Sequence, residues 1–217
     1  MKHLFTSLMA LACVALAACS SGPKQPDWQL EAKGSTDRGV VAYLEGDTRV
    51  EAVEFTRARS EVSSTGNVDL MAKVELLRCA LRVASLVFEP CTGFEKLRQD
   101  AAPAERAYAD YLMGTLSPQD AALLPATQRS PGADAEPLSK LVAAGAQFRA
   151  GTASPALIQQ AVDTASAQGW RRPLLAWLGV QASLAEKAGD AAEAARLKRR
   201  MALTANEVKP VAGVVKP

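Results

Sequence analysis

The chain has 217 residues, 48% of them hydrophobic and 22% charged, which is enough apolar material for one compact domain and argues against disorder. Its 25 Lys and Arg against 23 Asp and Glu leave a formal net charge of +2, so charge offers no ground for a nucleic-acid or polyanionic partner. Fourteen Gly and 12 Pro are an ordinary share and exclude a collagenous or low-complexity chain.

Met1-Lys2-His3 is a short basic start, and Leu4 to Ala15 is apolar apart from Thr6 and Ser7. That run is too short to span a bilayer and suits the core of a cleaved export signal. The residues after it, Leu16-Ala17-Ala18-Cys19, resemble a bacterial lipobox: a Leu three positions before the Cys, then two small residues. An ordinary signal peptide ending at Ala15-Leu16-Ala17 is the alternative. The lipobox resemblance implies that residues 1–18 are removed, that Cys19 becomes the first residue, and that its thiol and amine carry fatty acyl chains such as palmitate. Acyl chains contribute about 0.8 kcal/mol per buried methylene, so two or three of them hold a protein firmly on a membrane. Ser20, rather than Asp, follows the Cys, which in that family implies the outer membrane, facing the periplasm. Residues 19–27, with Ser20-Ser21-Gly22-Pro23-Lys24-Gln25-Pro26, read as a polar, helix-resistant tether.

Removal of the leader takes away His3, the sole histidine. Ser-His-Asp and Cys-His catalysis, His-ligated zinc and a His pH switch all need an imidazole, so these chemistries are excluded. Cys13 also leaves, and with Cys19 committed to lipid, Cys79 and Cys91 remain as a pair in an oxidising compartment. A disulfide is the natural assignment, with two buried free thiols as the alternative. If a helix runs on to Phe88, the Cα separation lies near the upper end of what a disulfide accepts, unless that helix ends early.

From residue 28 to 206 the periodicity is helical throughout, with apolar residues recurring at three and four and abundant Ala and Leu. Asn67 is a good N-cap for a helix from Val68 to about Phe88, ended by Pro90. Leu70, Val74, Leu77, Leu81, Ala84 and Phe88 form one apolar stripe, and Leu76, Cys79, Val83 and Leu86 form a second on the opposite side. Such a helix belongs in the middle of a fold. Trp177 shares a helical period with Leu174, Leu178 and Leu184 and reads as core.

Internal repetition carries the most information. Tyr111-Leu112-Met113-Gly114-Thr115-Leu116-Ser117-Pro118 is echoed by Phe148-Arg149-Ala150-Gly151-Thr152-Ala153-Ser154-Pro155. Gly suits a left-handed C-cap, Ser caps the next helix, and Pro occupies its first turn. Gly46-Asp47 and Gly189-Asp190 repeat part of the signature. The pattern predicts an all-α chain, a short α-solenoid of about five helical hairpins with turns near Gly46, Pro90, Gly114, Gly151 and Gly189. The stretch from Gly39 to Ala58 resembles a tetratricopeptide repeat, with Gly39, Gly46, Asp47, Phe55 and Ala58 in register. Glu51 stands where that family has a small residue. Near the C-terminus Gly189, Asp190 and Ala194 match, while Lys198 replaces the expected aromatic. Lipid-anchored proteins of this kind resemble the pilotins of pilus secretins and helical-repeat lipoproteins of outer-membrane assembly machines. The resemblance implies a non-catalytic scaffold that binds a periplasmic or outer-membrane protein.

Trp170-Arg171-Arg172 places an aromatic and two guanidiniums just before a helix, where they could grip a partner or pack into the fold. Arg196-Leu197-Lys198-Arg199-Arg200 reads as a solvated helical face, with headgroup or cell-wall contact as the alternative. Residues 207–217 read as a flexible tail. Glu61 and Glu105 are the carboxylates a wall-cleaving enzyme would draw on, but no motif surrounds them. No metal-ligand cluster, Gly-rich phosphate loop or nucleophile elbow appears in the sequence, so neither metal nor cofactor is expected.

Overall fold

A computed structural model describes residues 25–129, 132 and 134–206; the leader, Cys19 and the C-terminal tail lie outside the described residues. Among the described residues every regular element is helical. In chain order these are α1 (Asp27–Glu45), α2 (Thr48–Ser63), α3 (Val68–Ala84), a short α4 (Thr92–Glu95) and α5 (Pro103–Met113). A 3₁₀ turn (Asp120–Leu123), a short α6 (Ala126–Arg129), α7 (Pro137–Arg149), α8 (Pro155–Ala167), α9 (Arg171–Lys187) and α10 (Ala191–Asn206) follow.

The first and last hairpins use the same local chemistry. Gly46 and Gly189 take left-handed backbones, with φ of 95° and 75°, which a residue with a Cβ adopts only at a cost. The aspartate that follows each glycine caps the next helix: Asp47 accepts from the Val50 amide at 2.9 Å, and Asp190 accepts from the Glu193 amide at 2.9 Å. These short links fold α1 against α2 and α9 against α10. A Cβ built on Gly39 would lie 3.0 Å from the Phe55 ring, so the small residue lets α1 close onto α2.

The echoed turn behaves differently in its two copies. Ser154 accepts from the Leu157 amide at 3.2 Å and opens α8, as expected. Ser117 accepts from the Asp120 amide at 3.2 Å but opens only a single 3₁₀ turn. The expected hairpin after Gly114 therefore does not form. Pro118, Pro125, Pro131, Gly132 and Pro137 punctuate this stretch, and each proline removes an amide donor and blocks helix continuation.

The α3 helix is central, packing against α1, α2, α5 and α7, in line with its two apolar stripes. Asn67 caps it by accepting from the Leu70 amide at 3.1 Å. Val74 and Leu81 join a core with Tyr43, Leu44, Phe55, Ala58 and Val62. Leu76, Ala80, Val83 and Ala84 join a second core with Phe94, Leu112, Leu141, Val162, Trp177 and Leu178. Burying a side chain of this size contributes about 1.5–3 kcal/mol, so Trp177 and Phe55, both fully buried, are principal contributors.

Helix α3 does not run to Phe88, nor does Pro90 stop it. It ends at Ala84: the Leu86 amide donates to the Val83 carbonyl and the Val87 amide to the Arg82 carbonyl, with Leu86 at φ 59°. This is a Schellman closure with Leu where Gly is usual. The early stop turns the chain back, brings Phe88 from the first stripe to the second core, and sets Cys79 and Cys91 at disulfide distance, with a Cα separation of 5.7 Å. At the far side, α9 returns to pack against α1 as well as α8 and α10.

Candidate functional site

The densest grouping of charge is on the seam where α2 meets α3. Glu51 and Glu54 on α2 and Glu75 on α3 are buried carboxylates, with relative exposures of 3%, 7% and 7%. Burying a carboxylate is costly unless it is paired, and each of these is. Glu51 accepts from Arg82 at 3.3 Å, and Glu75 accepts from Arg59 at 3.2 Å. Glu54 lies 3.0 Å from Arg38 and 3.3 Å from Arg57. The Arg38 guanidinium beside it holds the Glu54 carboxyl below the ordinary carboxylate value. Glu89, on the segment after α3, reaches within 3.8 Å of Arg82 and is mostly exposed.

The arginines of this seam rest on aromatic faces. Arg78 lies 5.4 Å from the Phe55 ring centroid and Arg82 5.5 Å from that of Tyr43. Glu75, Arg78 and Arg82 share one face of α3 because their spacing of three and four follows the helical turn. Glu51 and Phe55 share a face of α2 for the same reason. Across the seam this produces the order Arg59, Glu75, Arg78, Glu51, Arg82.

Arg78 differs from its neighbours. Its guanidinium makes no hydrogen bond among the described residues: Glu75 lies 3.6 Å away, Glu51 lies 3.8 Å away, and the buried Nε has no partner. Burial, reinforced by the adjacent Arg82 and Arg59 charges, pulls its pKa below the ordinary arginine value. The side chain is nonetheless 25% exposed.

Of Trp170, Arg171 and Arg172, two are engaged within the fold. Trp170 is half-buried and packs against both cores. Arg172 Nε donates to the Tyr43 carbonyl at 2.7 Å, its Nη2 donates to Thr48 Oγ1 at 3.0 Å, and its guanidinium stacks 4.4 Å from the Tyr43 ring centroid. Arg172 thereby ties the start of α9 to the α1–α2 turn. Arg171 makes no side-chain hydrogen bond or ion pair among the described residues.

The other sequence candidates lie apart from the seam. On the basic run, Arg196 pairs with Glu193, Lys198 pairs with Glu186, and Arg200 donates to Ser166 Oγ. Glu61 is near the end of α2 and Glu105 near the start of α5. A shallow open groove between α7 and α8 is lined by Gln147, Ser154, Leu157, Gln160 and Asp163. No cluster of three or more metal-ligating side chains occurs among the described residues, and no described helix is long and apolar enough to cross a membrane.

The buried ion pairs were the part of the site that sequence reasoning missed. Their one sequence signal is Glu51, the residue that departs from the repeat pattern: it is acidic because Arg82 and Arg78 of α3 face it. Comparison with known proteins found no matching family, no similar curated protein and no similar solved structure.

Proposed function

We propose that this chain is a lipid-anchored scaffold of the periplasm, held at the outer membrane through Cys19, that works by binding a protein partner on a helical-repeat surface. The observation that carries this reading is the row of Arg59, Arg78 and Arg82, partly exposed guanidiniums positioned by buried carboxylates and aromatic rings. Such a row is a recognition surface: arginine forks over aromatic faces give directional contacts and lose little conformational freedom on binding. The lipobox-like Leu16-Ala17-Ala18-Cys19 and the absence of histidine after His3 favour placement and contact over covalent chemistry. The matching Gly-Asp turns at both ends support a degenerate tetratricopeptide-like repeat. Anchoring would confine the scaffold to a thin layer and raise its effective concentration toward partners there, such as pilus, secretion or outer-membrane assembly components.

The test has two arms. Mass spectrometry of the exported protein should find a diacylglyceryl, N-acylated Cys19; an unmodified thiol would overturn the anchor. A photo-crosslinking residue at exposed Thr56, whose hydroxyl accepts from Arg59 in the arginine row, should trap one envelope protein in living cells, and one at exposed Gln147 should not. If trapping is absent and Glu61→Gln or Glu105→Gln abolishes muropeptide release by a folded protein, the wall-cleaving reading replaces this one.

A further inference from the structure

We infer that Arg78 is the centre of a binding site for a single carboxylate, supplied by an acidic segment of a partner protein. This rests on the scaffold reading and specifies the chemistry of its surface. The charge arrangement carries it. Arg59 and Arg82 each donate to a buried carboxylate, Glu75 and Glu51 respectively. Arg78 stands between them, held over Phe55, in ion-pair range of Glu75 at 3.6 Å and Glu51 at 3.8 Å but hydrogen-bonded to neither, while exposed Glu89 lies beside Arg82 at the rim. The Arg78 side chain is a quarter exposed, so its guanidinium fork stays accessible to an incoming acceptor while Phe55 holds it in place. The planar fork of Arg78 matches the two oxygens of a carboxylate, which would convert a poorly satisfied charge into a bidentate pair.

The same arrangement selects the ligand. Glu51 and Glu75 flank Arg78, so an incoming anion meets two negative charges within a few ångströms of its docking point. A carboxylate brings one negative charge, to meet the one arginine of the row that has no hydrogen-bonded carboxylate. A phosphate monoester brings about −1.5 to −2 and is repelled by both glutamates. Exposed Glu89, near Arg82, marks the rim of the site and adds to that selection.

The test uses the full lipidated chain in detergent and two fluorescein-labelled octapeptides, one alternating Ser and Glu, the other alternating Ser and Gln. The Glu peptide should bind at least tenfold more tightly than the Gln peptide, and the preference should fall as salt screens it. Arg78→Met should abolish the preference while leaving the melting temperature unchanged or raised, since it removes a poorly paired buried charge. Arg78→Lys keeps the charge but not the fork; it should weaken binding about tenfold, and it decides the matter if the Met variant does not fold. Equal binding of the two peptides, unaltered binding by either variant, or displacement of the Glu peptide by millimolar inorganic phosphate would each overturn the site. So would Arg78-dependent binding to phosphatidylglycerol vesicles in place of peptide. If Arg78→Met still crosslinks the same envelope partner in cells, the carboxylate site fails and the scaffold stands. Peptide preference without any cellular crosslink upholds the carboxylate site and overturns the scaffold.

Discussion

The indole N–H of Trp177 donates to the carbonyl of Ala84 at 3.0 Å, joining the middle of α9 to the last residue of α3. A helix leaves its final carbonyls without partners, and this bond satisfies one of them in a buried place where water could not. Trp177 is therefore both the largest fully buried side chain and a C-terminal cap in trans. Replacement by Phe keeps most of the packing and loses the bond. Trp177→Phe should lower stability by about 1–3 kcal/mol, read from urea unfolding followed by circular dichroism, and a variant as stable as wild type would refute the capping role.

A second close contact fixes how α7 crosses α3. A Cβ on Gly145 would fall 2.2 Å from the Val83 carbonyl oxygen, a backbone atom that cannot move aside without distorting α3. Gly145→Ala should cost about 3 kcal/mol despite the better helix propensity of Ala. Gly151→Ala is a different case, strained by its φ of 70° but with open space around it, and should cost less. Thermal melts of the two variants compare steric exclusion directly with backbone strain.

Arg172 closes the molecule by linking α9 to the α1–α2 turn, and removing it should loosen that junction without unfolding either hairpin. Arg172→Ala should lower stability by about 1–2 kcal/mol and increase amide exchange around Tyr43 and Thr48. Arg171→Ala, with no bond to lose, should leave both unchanged; equal effects in the two variants would mean the geometry is unimportant.

Cys79 and Cys91 lie at disulfide distance, and a bridge between them closes a 12-residue separation, for which the chain-entropy argument gives about 3 kcal/mol at most. Reduction, or Cys79→Ser with Cys91→Ser, should lower the midpoint of unfolding by that order. It should also release the segment from Leu86 to Pro90, whose proteolytic nicking rate reports the change.

Stability should fall toward both pH extremes for identifiable reasons. Arg38 holds Glu54, Arg98 holds Glu95 and Arg196 holds Glu193 below the ordinary carboxyl value of 4.5. A group with a depressed folded-state pKa stabilises fully above its unfolded value, so this contribution is lost as pH drops through 4.5 and then through the folded values. Burial raises Tyr111 from 10 to about 12 and Tyr108 further. Their neutral forms favour the folded state below pH 10, and that advantage is lost as pH rises from 10 through the folded values. Potentiometric titration of folded and urea-unfolded chain should show proton uptake on acid unfolding and proton release on alkaline unfolding.

Helix starts and turns were legible because they are settled within a few residues. Asp47, Asn67, Ser154 and Asp190 each cap a helix by accepting from an amide three positions ahead. The two-sided apolar pattern of α3 and the burial of Trp177 were legible for a related reason: periodicity records which faces must leave water. The charged seam and the tie made by Arg172 were settled by distant partners. Glu75 finds Arg59 across 16 residues, Glu51 finds Arg82 across 31, and Arg172 finds the Tyr43 carbonyl across 129. Local chemistry names which residues want a partner; only packing brings a partner within the roughly 3 Å at which a hydrogen bond forms.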